Sequence, residues 1–306
     1  MNVRHLFIVN PAAGKKDISS KIAHFAEEAA ANLGAEHTVH VTECPGDAVS
    51  YIRAFLTEHS DDFVRVYACG GDGTLNEAVN GVFGFDNAAV GSVPTGSGND
   101  FIKTITERPK EAFLSFSDMM TGDIRRIDAL RIGDRISINI ISTGFDAATA
   151  KGMHTFKKLP LVSGSAAYCL ALIKALFTAR HNHYRFELDG QELEGAEGDY
   201  LFAIAANGRW YGGGFKAAPL ADLSDGKMDF IYISSVSIFK FLKLVGIFRK
   251  GEHLDKLPMA KMRRCEKLKI ITGKTVDINI DGEIAEGADV EISILKDALN
   301  LIIPHE

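Results

Sequence analysis

The chain has 306 residues and a formal net charge of −6, and 46% of its residues are hydrophobic while 24% are charged. This composition is typical of a soluble globular protein, the length predicts two domains, and the negative charge argues against a nucleic-acid-binding protein. No apolar run approaches the roughly 18 residues of a membrane span and no signal peptide precedes the first strand, so we expect a cytoplasmic protein.

Residues 1–122 alternate between apolar strand patterns and amphipathic helix patterns. Strands are predicted near 4–9, 37–42, 63–68 and 88–93, and helices near 18–33, 46–58, 74–83, 99–105 and 109–121. Strands that alternate with helices in this way are typical of a parallel sheet with right-handed crossovers. The first part of the chain is therefore predicted to be a doubly wound α/β domain.

From about residue 124 the pattern changes to one rich in β-strands. Ile136, Ile138 and Ile140 alternate with polar residues, as in a half-buried strand. Further strands are predicted near 183–189, 199–206, 228–234, 267–272, 275–281 and 289–295. Residues 237–255 contain a helical apolar stripe with lysines beside it, which fits either a helix that covers the core or one that lies at a membrane interface. This half is predicted to be a mainly β, sandwich-like domain.

Glycine-rich polar loops follow three strands of the first part, at residues 10–16, 70–74 and 94–101. Ligands of parallel sheets bind at the carboxyl ends of the strands, where such loops meet. The turn Gly70-Gly71-Asp72-Gly73-Thr74 precedes a predicted helix, so its N–H groups are suited to phosphate. Three such loops together favour a nucleotide site.

Asp72 is unusual in a phosphate loop, because its carboxylate repels phosphate unless it holds a cation. The alternative is an ordinary turn with an Asp or Thr as the helix N-cap. The segment does not match a Walker A loop, and Asn76 stands where a dinucleotide-binding fingerprint has its third glycine. Nucleotide phosphoryl transfer assisted by a metal ion is the chemistry that this combination favours.

The motifs of this chain resemble those of the diacylglycerol kinase catalytic-domain family, in the family's order over nearly the whole chain. They are Asn10-Pro11 with Gly14, Gly70-Gly71-Asp72-Gly73-Thr74 with Asn76 and Glu77, Gly96-Ser97-Gly98-Asn99-Asp100-Phe101, Thr143-Gly144-Phe145-Asp146-Ala147, Gly213-Gly214-Phe215 with Pro219, Asp225-Gly226-Lys227-Met228-Asp229 and Asp281-Gly282-Glu283. The second motif is shared with NAD kinases, but the last two separate the chain from them.

The resemblance implies a nucleotide-binding α/β domain over residues 1–123 and about 296–306, and a lipid-acceptor domain over 124–295. It also implies that ATP binds at the sheet edge with Mg²⁺. The positions that match the family's nucleotide motifs are Asn10, Gly14, Thr42, Gly70, Gly71, Asp72, Gly73, Thr74, Asn76, Glu77 and Thr95. Asp72 is the expected ligand of the catalytic Mg²⁺, direct or through water. Asp128 and Asp100 are candidates for the same network, and a helix-capping role is equally open for Asp100.

The resemblance also assigns two sites in the second domain. Glu283 is expected to be the general base that takes the proton of a lipid hydroxyl, although Asp281-Gly282 is equally a good hairpin turn. Asp222, Asp225 and Lys227 resemble a structural Mg²⁺ loop, in which Asp225 supplies a carboxylate and residues 222 and 227 supply backbone carbonyls. A surface turn that binds nothing is the alternative there.

The function implied is transfer of the ATP γ-phosphate to a lipid hydroxyl, with diacylglycerol as the expected acceptor and peripheral contact with the membrane. A sphingoid base, phosphatidylglycerol or a polyprenol is an alternative acceptor, since acceptor choice depends on pocket shape. An NAD kinase and a non-catalytic lipid or nucleotide sensor on the same scaffold are alternatives as well. No nucleic-acid partner is expected, and a homodimer is compatible with the sequence.

Overall fold

A computed structural model describes residues 2–14, 16–96, 98–106, 109–156 and 164–305 of the protein. The chain forms two compact units, one of Met1–Ala129 with Lys296–Glu306 and the other of Leu130–Leu295. The C-terminal segment thus belongs to the same unit as the N-terminus.

The first unit is built from alternating strands and helices. In chain order they are β1 (Val3–Val9), α1 (Ser19–Leu33), β2 (Glu36–Val41), α2 (Asp47–Glu58), β3 (Phe63–Gly70), α3 (Asp72–Val82), β4 (Ala88–Pro94), α4 (Ile102–Ile105), a 3₁₀ helix (Lys110–Leu114), α5 (Phe116–Thr121) and the first part of β5 (Asp123–Ile132).

The sheet of the first unit is parallel, with the strand order β4-β3-β1-β2. Leu301, near the end of the chain, pairs in parallel with Val90 on the outer side of β4. β3 and β4 are almost entirely buried, as expected for central strands covered by helices on both faces. This architecture confirms the α/β fold predicted from the sequence, and it brings the carboxyl ends of β1, β3 and β4 to one edge.

Two helix predictions in this unit were wrong in their bounds. The helix expected near 99–105 is the short α4, and the one expected near 109–121 is broken into the 3₁₀ helix and α5. The break lies at Ser115, whose extended backbone precedes α5 and whose hydroxyl accepts the N–H of Asp118 at 3.4 Å. A Ser in this conformation caps a new helix rather than continuing the old one.

The second unit is mainly β. Its elements are the end of β5, β6 (Arg135–Ser137), β7 (Ile140–Gly144), α6 (Phe145–Phe156), α7 (Gly164–Thr178), β8 (Asn182–Leu188), β9 (Gln191–Glu192), β10 (Gly198–Ala206), β11 (Met228–Ser234), α8 (Ile238–Lys250), α9 (His253–Lys256), β12 (Ala260–Cys265), β13 (Lys267–Ile271), β14 (Val276–Ile280), β15 (Glu283–Gly287) and the first part of β16 (Val290–Ile303).

β10 is the central strand of this unit, and it pairs antiparallel with β7, β8 and β11. Its side chains alternate between two cores. Ala203 and Ala205 join one that contains Tyr184, Phe186 and Phe230, whereas Phe202 and Ile204 join another beneath α7 and α8. Alternation between two buried faces is the pattern expected of a strand inside a layered β structure, so the β-rich prediction is confirmed.

Helices α6 and α7 are absent from the sequence predictions. The exposed side of α7 carries Leu170, Ile173 and Phe177, so its sequence lacks the polar face by which an amphipathic helix is identified. The single strand expected through Ile136, Ile138 and Ile140 is instead divided into β6 and β7. No helix in the described part of the chain has both the length and the hydropathy needed to cross a bilayer.

Candidate active site

Two glycine-rich turns are in backbone contact at the carboxyl end of the first unit's sheet. The N–H of Gly96, after β4, donates to the carbonyl of Gly70 at 2.9 Å. A Cβ on Gly96 would lie 2.6 Å from Gly71 Cα, and a Cβ on Gly70 would lie 2.2 Å from Thr74 Oγ1. Contacts this short leave no space for a side chain, so glycine is required at both positions.

Asp72 joins the same two turns through its side chain. It is the first residue of α3, and its carboxylate accepts the backbone N–H of Asp100 at 3.1 Å and that of Phe101 at 3.5 Å. A Cβ on Gly98 would lie 2.8 Å from Asp72 Oδ2, so the loop passes directly over the carboxylate. A carboxylate held by N–H groups beside a helix N-terminus is favoured in its ionised form.

The loop after β1 completes the arrangement. Asn10 donates from Nδ2 to Thr74 Oγ1 at 3.1 Å, while its Oδ1 accepts the N–H of Ala12 at 2.9 Å. Asn10 thus stabilises the turn after β1 and contacts α3, while a nucleotide contact for Asn10 stays a prediction. Gly14 has φ +88°, and a Cβ there would lie 3.1 Å from the carbonyl oxygen of Thr95. The three loops thus converge on the N-terminus of α3.

Two buried polar atoms at this convergence have no hydrogen-bond partner among the described residues. They are Thr95 Oγ1 and Asn99 Oδ1. Asn99 is only 3% exposed and has φ +64°, which an Asn tolerates better than most residues. Buried polar atoms are normally satisfied, so these two indicate a missing ligand or solvent molecule. The sequence analysis missed Asn99 as a site residue, although it lies within a motif used for the resemblance.

Three other predicted nucleotide residues have their own partners. The Thr42 hydroxyl lies 3.4 Å from the carbonyl of Val9, and Asn76 is buried within α3. Glu77 accepts the N–H of Gly46 at 3.1 Å, which satisfies a backbone group just before α2. A binding role for these residues stays a prediction, and Ser97 of the third loop lies outside the described residues.

The carboxylates proposed for the catalytic metal are also engaged. Asp100 pairs with Lys103 at 2.6 Å, and Asp128 accepts the N–H of Asp297 at 2.9 Å; both aspartates are buried. Within the described residues, no group of three or more His, Cys, Asp or Glu side chains could hold a metal ion. Mg²⁺ commonly binds through one or two carboxylates together with substrate phosphates and water. Asp72 beside a phosphate cradle therefore fits Mg²⁺, with nucleotide and water as the remaining ligands.

The loop proposed as a structural Mg²⁺ site contains a short series of side-chain-to-backbone bonds. Asp222 accepts the N–H of Ser224 at 2.9 Å, and Asp225 accepts that of Lys227 at 3.0 Å. Arg264 contacts Asp225 at 3.4 Å and Asp229 at 2.9 Å. Burial raises the pKa of Asp229, whose Oδ2 has no partner among the described residues. Arg264 already supplies a cation to both carboxylates, so a Mg²⁺ ion at this loop stays a prediction. Asp229 lies within a motif used for the resemblance but was not predicted as a site residue.

Glu283 follows a two-residue hairpin turn in the second unit. Asp281 has φ +49° and Gly282 has φ +99°, as in a type I′ turn. The Asp281 carboxylate accepts the N–H of Ile138 at 3.1 Å and that of Ile140 at 2.8 Å, which explains why the chain divides there into β6 and β7. The side chain of Glu283 is exposed and has no hydrogen bond or ion pair within the described part of the chain, while its backbone pairs with Ile280. The hairpin therefore presents an uncommitted carboxylate on a fixed turn.

Asp146 is a further residue with an unusual environment that was not predicted from the sequence. It lies in the first turn of α6, and both its carboxylate oxygens are buried. The Ser142 hydroxyl and the N–H of Ala147 favour its ionised form, but neither reaches full hydrogen-bond geometry. Burial is the larger effect and raises the pKa of Asp146 to about 7. A strongly shifted carboxyl beside the Tyr184 ring is a candidate contact for a polar ligand.

Comparison with known proteins places these features in two matched regions. Residues 4–132 match the family model described as the diacylglycerol kinase catalytic domain, and residues 139–303 match the YegS C-terminal NAD kinase beta sandwich-like domain. The chain is 28% identical to the protein named diacylglycerol kinase of Bacillus subtilis (strain 168), over 99% of this chain and 97% of that protein. It is 25% identical to a candidate lipid kinase of Staphylococcus aureus (strain MSSA476), over 88% of this chain and 87% of that protein.

A solved structure has a similar fold. It is titled as a diacylglycerol kinase from Bacillus anthracis str. Sterne, and it aligns with a TM-score of 0.68 over 98% of this chain and 96% of that chain. The sequence identity is 19%, so this likeness concerns the fold alone.

The buried Asp146 predicts a pH dependence of the second unit's stability. Its pKa is about 7 in the folded protein and about 3.9 when unfolded. The contribution of Asp146 to the free energy of unfolding is therefore fully present below pH 4 and declines as the pH rises to about 7. The decline arises because the unfolded state releases this proton at a lower pH than the folded state does. Asp146→Asn removes this decline. The free energy of unfolding of the variant, relative to that of the wild type, should therefore rise by roughly 2–4 kcal/mol between pH 4 and pH 8.

Urea unfolding followed by tryptophan fluorescence is a suitable measurement, since the single tryptophan, Trp210, lies in the second unit. Replacement of the exposed Asp134 by Asn is the matched control and should leave the pH profile unchanged. Parallel profiles for wild type and Asp146→Asn would contradict the prediction.

Proposed function

The chain belongs to the diacylglycerol kinase catalytic-domain family and is a lipid kinase, and from this premise we propose that it transfers the γ-phosphate of ATP to the hydroxyl of diacylglycerol, giving phosphatidic acid. The observation that carries the proposal is the contact of the Gly70–Gly71 and Gly96 turns around Asp72, at the N-terminus of α3. Diacylglycerol is proposed as acceptor because it is the substrate in the name of the Bacillus subtilis relative, which the chain matches over 99% of its length.

In this proposal the first unit binds the nucleotide. The N–H groups at the start of α3 would receive phosphate oxygens, assisted by the helix dipole. The Thr95 hydroxyl and the Asn99 side-chain oxygen, both without partners among the described residues, supply further polar contacts. Mg²⁺, held by Asp72 directly or through water, would neutralise charge on the phosphates when bound. Asp72 is itself oriented by the amides of the third loop, so it needs no rearrangement to serve in this way.

Glu283 is proposed to remove the proton of the acceptor hydroxyl. A lipid hydroxyl is a poor nucleophile, and a carboxylate that accepts its proton during attack makes it a better one. The exposed, unpaired Glu283 suits this role, since no cation within the described residues competes for it. Asp281 fixes the turn by accepting the backbone N–H groups of Ile138 and Ile140, and so it acts as a positioning residue for Glu283.

The proposal is tested by transfer of labelled phosphate from ATP to lipids in mixed micelles with Mg²⁺. The lipids are diacylglycerol, sphingosine, phosphatidylglycerol and undecaprenol, with NAD as a soluble control. Label on diacylglycerol supports the proposal. Label on a different lipid alone would identify that lipid as the acceptor and would contradict the proposal of diacylglycerol. Label on NAD alone, or ATP binding without transfer, would contradict it in favour of an NAD kinase or a sensor.

In the same assay, Glu283→Gln should lower kcat by roughly 10²–10⁴-fold, the range of general-base catalysis. ATP affinity should change by less than about threefold, because the role of the base is in the transfer step. Glu286→Gln is the control, since Glu286 is an exposed carboxylate on the same strand that pairs with Lys151. A Glu283→Gln enzyme with wild-type kcat would remove Glu283 from the base role.

We also propose that α8 contacts the bilayer that holds the lipid substrate. Phe241 and Phe248 of α8 are buried in the second unit's core, which agrees with the core-covering alternative for this segment. Leu242, which belongs to the apolar stripe of this segment, is 56% exposed, and Phe239 is 82% exposed. These two residues are three positions apart and therefore lie on one outward face.

The charges of α8 favour an anionic membrane as its partner. The exposed residues Lys240, Lys243, Arg249 and Lys250 accompany the apolar face, and the helix contains no acidic residue. An apolar face flanked by cations is typical of a helix that lies in a bilayer interface with anionic lipids. Helix α7 covers the same core and exposes Ile173 and Phe177 in a similar way.

Removal of both exposed apolar side chains, in Phe239→Ala/Leu242→Ala, should weaken binding to phosphatidylglycerol–diacylglycerol vesicles by at least about tenfold, because their buried area is lost from the membrane. Transfer to diacylglycerol dispersed in detergent micelles at saturating substrate should remain near the wild-type rate. Leu33→Ala, at an exposed leucine of the first unit, is the control. Vesicle sedimentation that does not distinguish the double variant from wild type would contradict the proposed contact.

A further inference from the structure

We infer that Lys110 is a phosphate-binding cation of the nucleotide site, an inference that rests on the proposed function. Lys110 begins the 3₁₀ helix of the first unit, outside all three glycine-rich loops. Its ammonium donates to the carbonyl of Gly96 at 3.1 Å. The N–H of Gly96 donates to the Gly70 carbonyl, so the ammonium is bonded to the same residue that joins the two turns.

The environment of Lys110 differs from that of Lys103, a lysine that follows the third loop. Lys103 is neutralised by the buried carboxylate of Asp100 at 2.6 Å. Within the described residues, the only partner of the Lys110 ammonium is the Gly96 carbonyl, which is neutral. An ammonium has three donors, and one bond to a neutral acceptor leaves both its charge and two of its N–H groups available. Such a group favours an anion as its further partner.

Nearby groups point to the same ligand. The Gly96 carbonyl also accepts Asn99 Nδ2 at 2.7 Å, and Asn99, only 3% exposed, has an Oδ1 without a partner among the described residues. The Thr95 hydroxyl beside it is likewise unpaired. The Lys110 ammonium and the Thr95 hydroxyl can donate to an anion, whereas Asn99 Oδ1 only accepts and needs a donor. A nucleoside triphosphate offers phosphate oxygens to the first two groups and has hydroxyl and amino donors for the third.

The Nζ atom of Lys110 then has two functions, one toward the loop and one toward the phosphate. The N–H bond to Gly96 fixes the loop that supplies the amides of Asp100 and Phe101 to Asp72. The remaining N–H groups bind phosphate oxygen, which places a positive charge beside the developing negative charge of the transfer. Lys110 is therefore expected to favour ATP over nucleosides that lack phosphate.

The test is isothermal titration of the full-length protein with ATP and with adenosine, for the wild type, Lys110→Met, Lys110→Arg and a control, Lys21→Met at an exposed lysine of α1. We expect Lys110→Met to raise the ATP dissociation constant by about 10–100-fold, the effect of one charged hydrogen bond. Adenosine binding should change by less than about twofold, because adenosine offers no phosphate to the lysine. Lys110→Arg should restore most of the ATP affinity, and Lys21→Met should match the wild type.

Three outcomes would overturn the inference. One is unchanged ATP affinity in Lys110→Met. Another is an equal loss for ATP and adenosine together with a lower melting temperature, which would make Lys110 a structural clamp only. The third is a wild-type protein that binds no ATP at all, and this result alone would remove the proposed function as well.

Discussion

The hydrogen bonds from the backbone amides of Asp100 and Phe101 to the Asp72 carboxylate are the interaction on which the proposed nucleotide site depends. These bonds hold an ionised carboxylate within loops that otherwise attract anions. Each amide stabilises the negative charge of the carboxylate, which lowers the free-energy cost of placing it there. The same bonds hold two glycine-rich turns in backbone contact, which is possible only because Gly70, Gly96 and Gly98 have no side chains. The Asp72 carboxylate therefore accounts for Gly98 and for the suitability of the site to a cation, whereas Gly70 and Gly96 are required by their contacts with Thr74 and Gly71.

The second unit uses the same physical device. Asp281 accepts the amides of Ile138 and Ile140, and Asp189, in the turn after β8, accepts those of Glu266 and Lys267. In each case a carboxylate in a turn satisfies backbone groups that are distant in sequence, so that loops become as well ordered as the strands that they join. At Asp281 this order extends to the neighbouring Glu283.

Much of the fold was predictable because its signals are local. The strands and long helices of the first unit follow from apolar periodicity, and the loops at their ends follow from glycine and polar residues. What escaped prediction depends on contacts between distant parts of the chain. The division between β6 and β7 comes from Asp281, which lies more than 140 residues later in the chain. Helix α7 was not predicted because apolar residues such as Phe177 occupy its exposed face, so that it has no polar face. Asn99, Asp146 and Lys110 gain their interest from burial and unsatisfied partners, which no spacing in the sequence reveals.

The central claim, that Asp72 joins the loops and provides the carboxylate for Mg²⁺ beside ATP, is tested most directly by titrating ATP into wild type and Asp72→Asn with and without Mg²⁺. Asparagine keeps one oxygen for the loop amides but loses the charge. The account predicts that Mg²⁺ strengthens ATP binding by the wild type by about tenfold or more, and that this gain disappears in Asp72→Asn while metal-free binding persists. An Asp72→Asn protein in which Mg²⁺ strengthens ATP binding as much as in the wild type would contradict it.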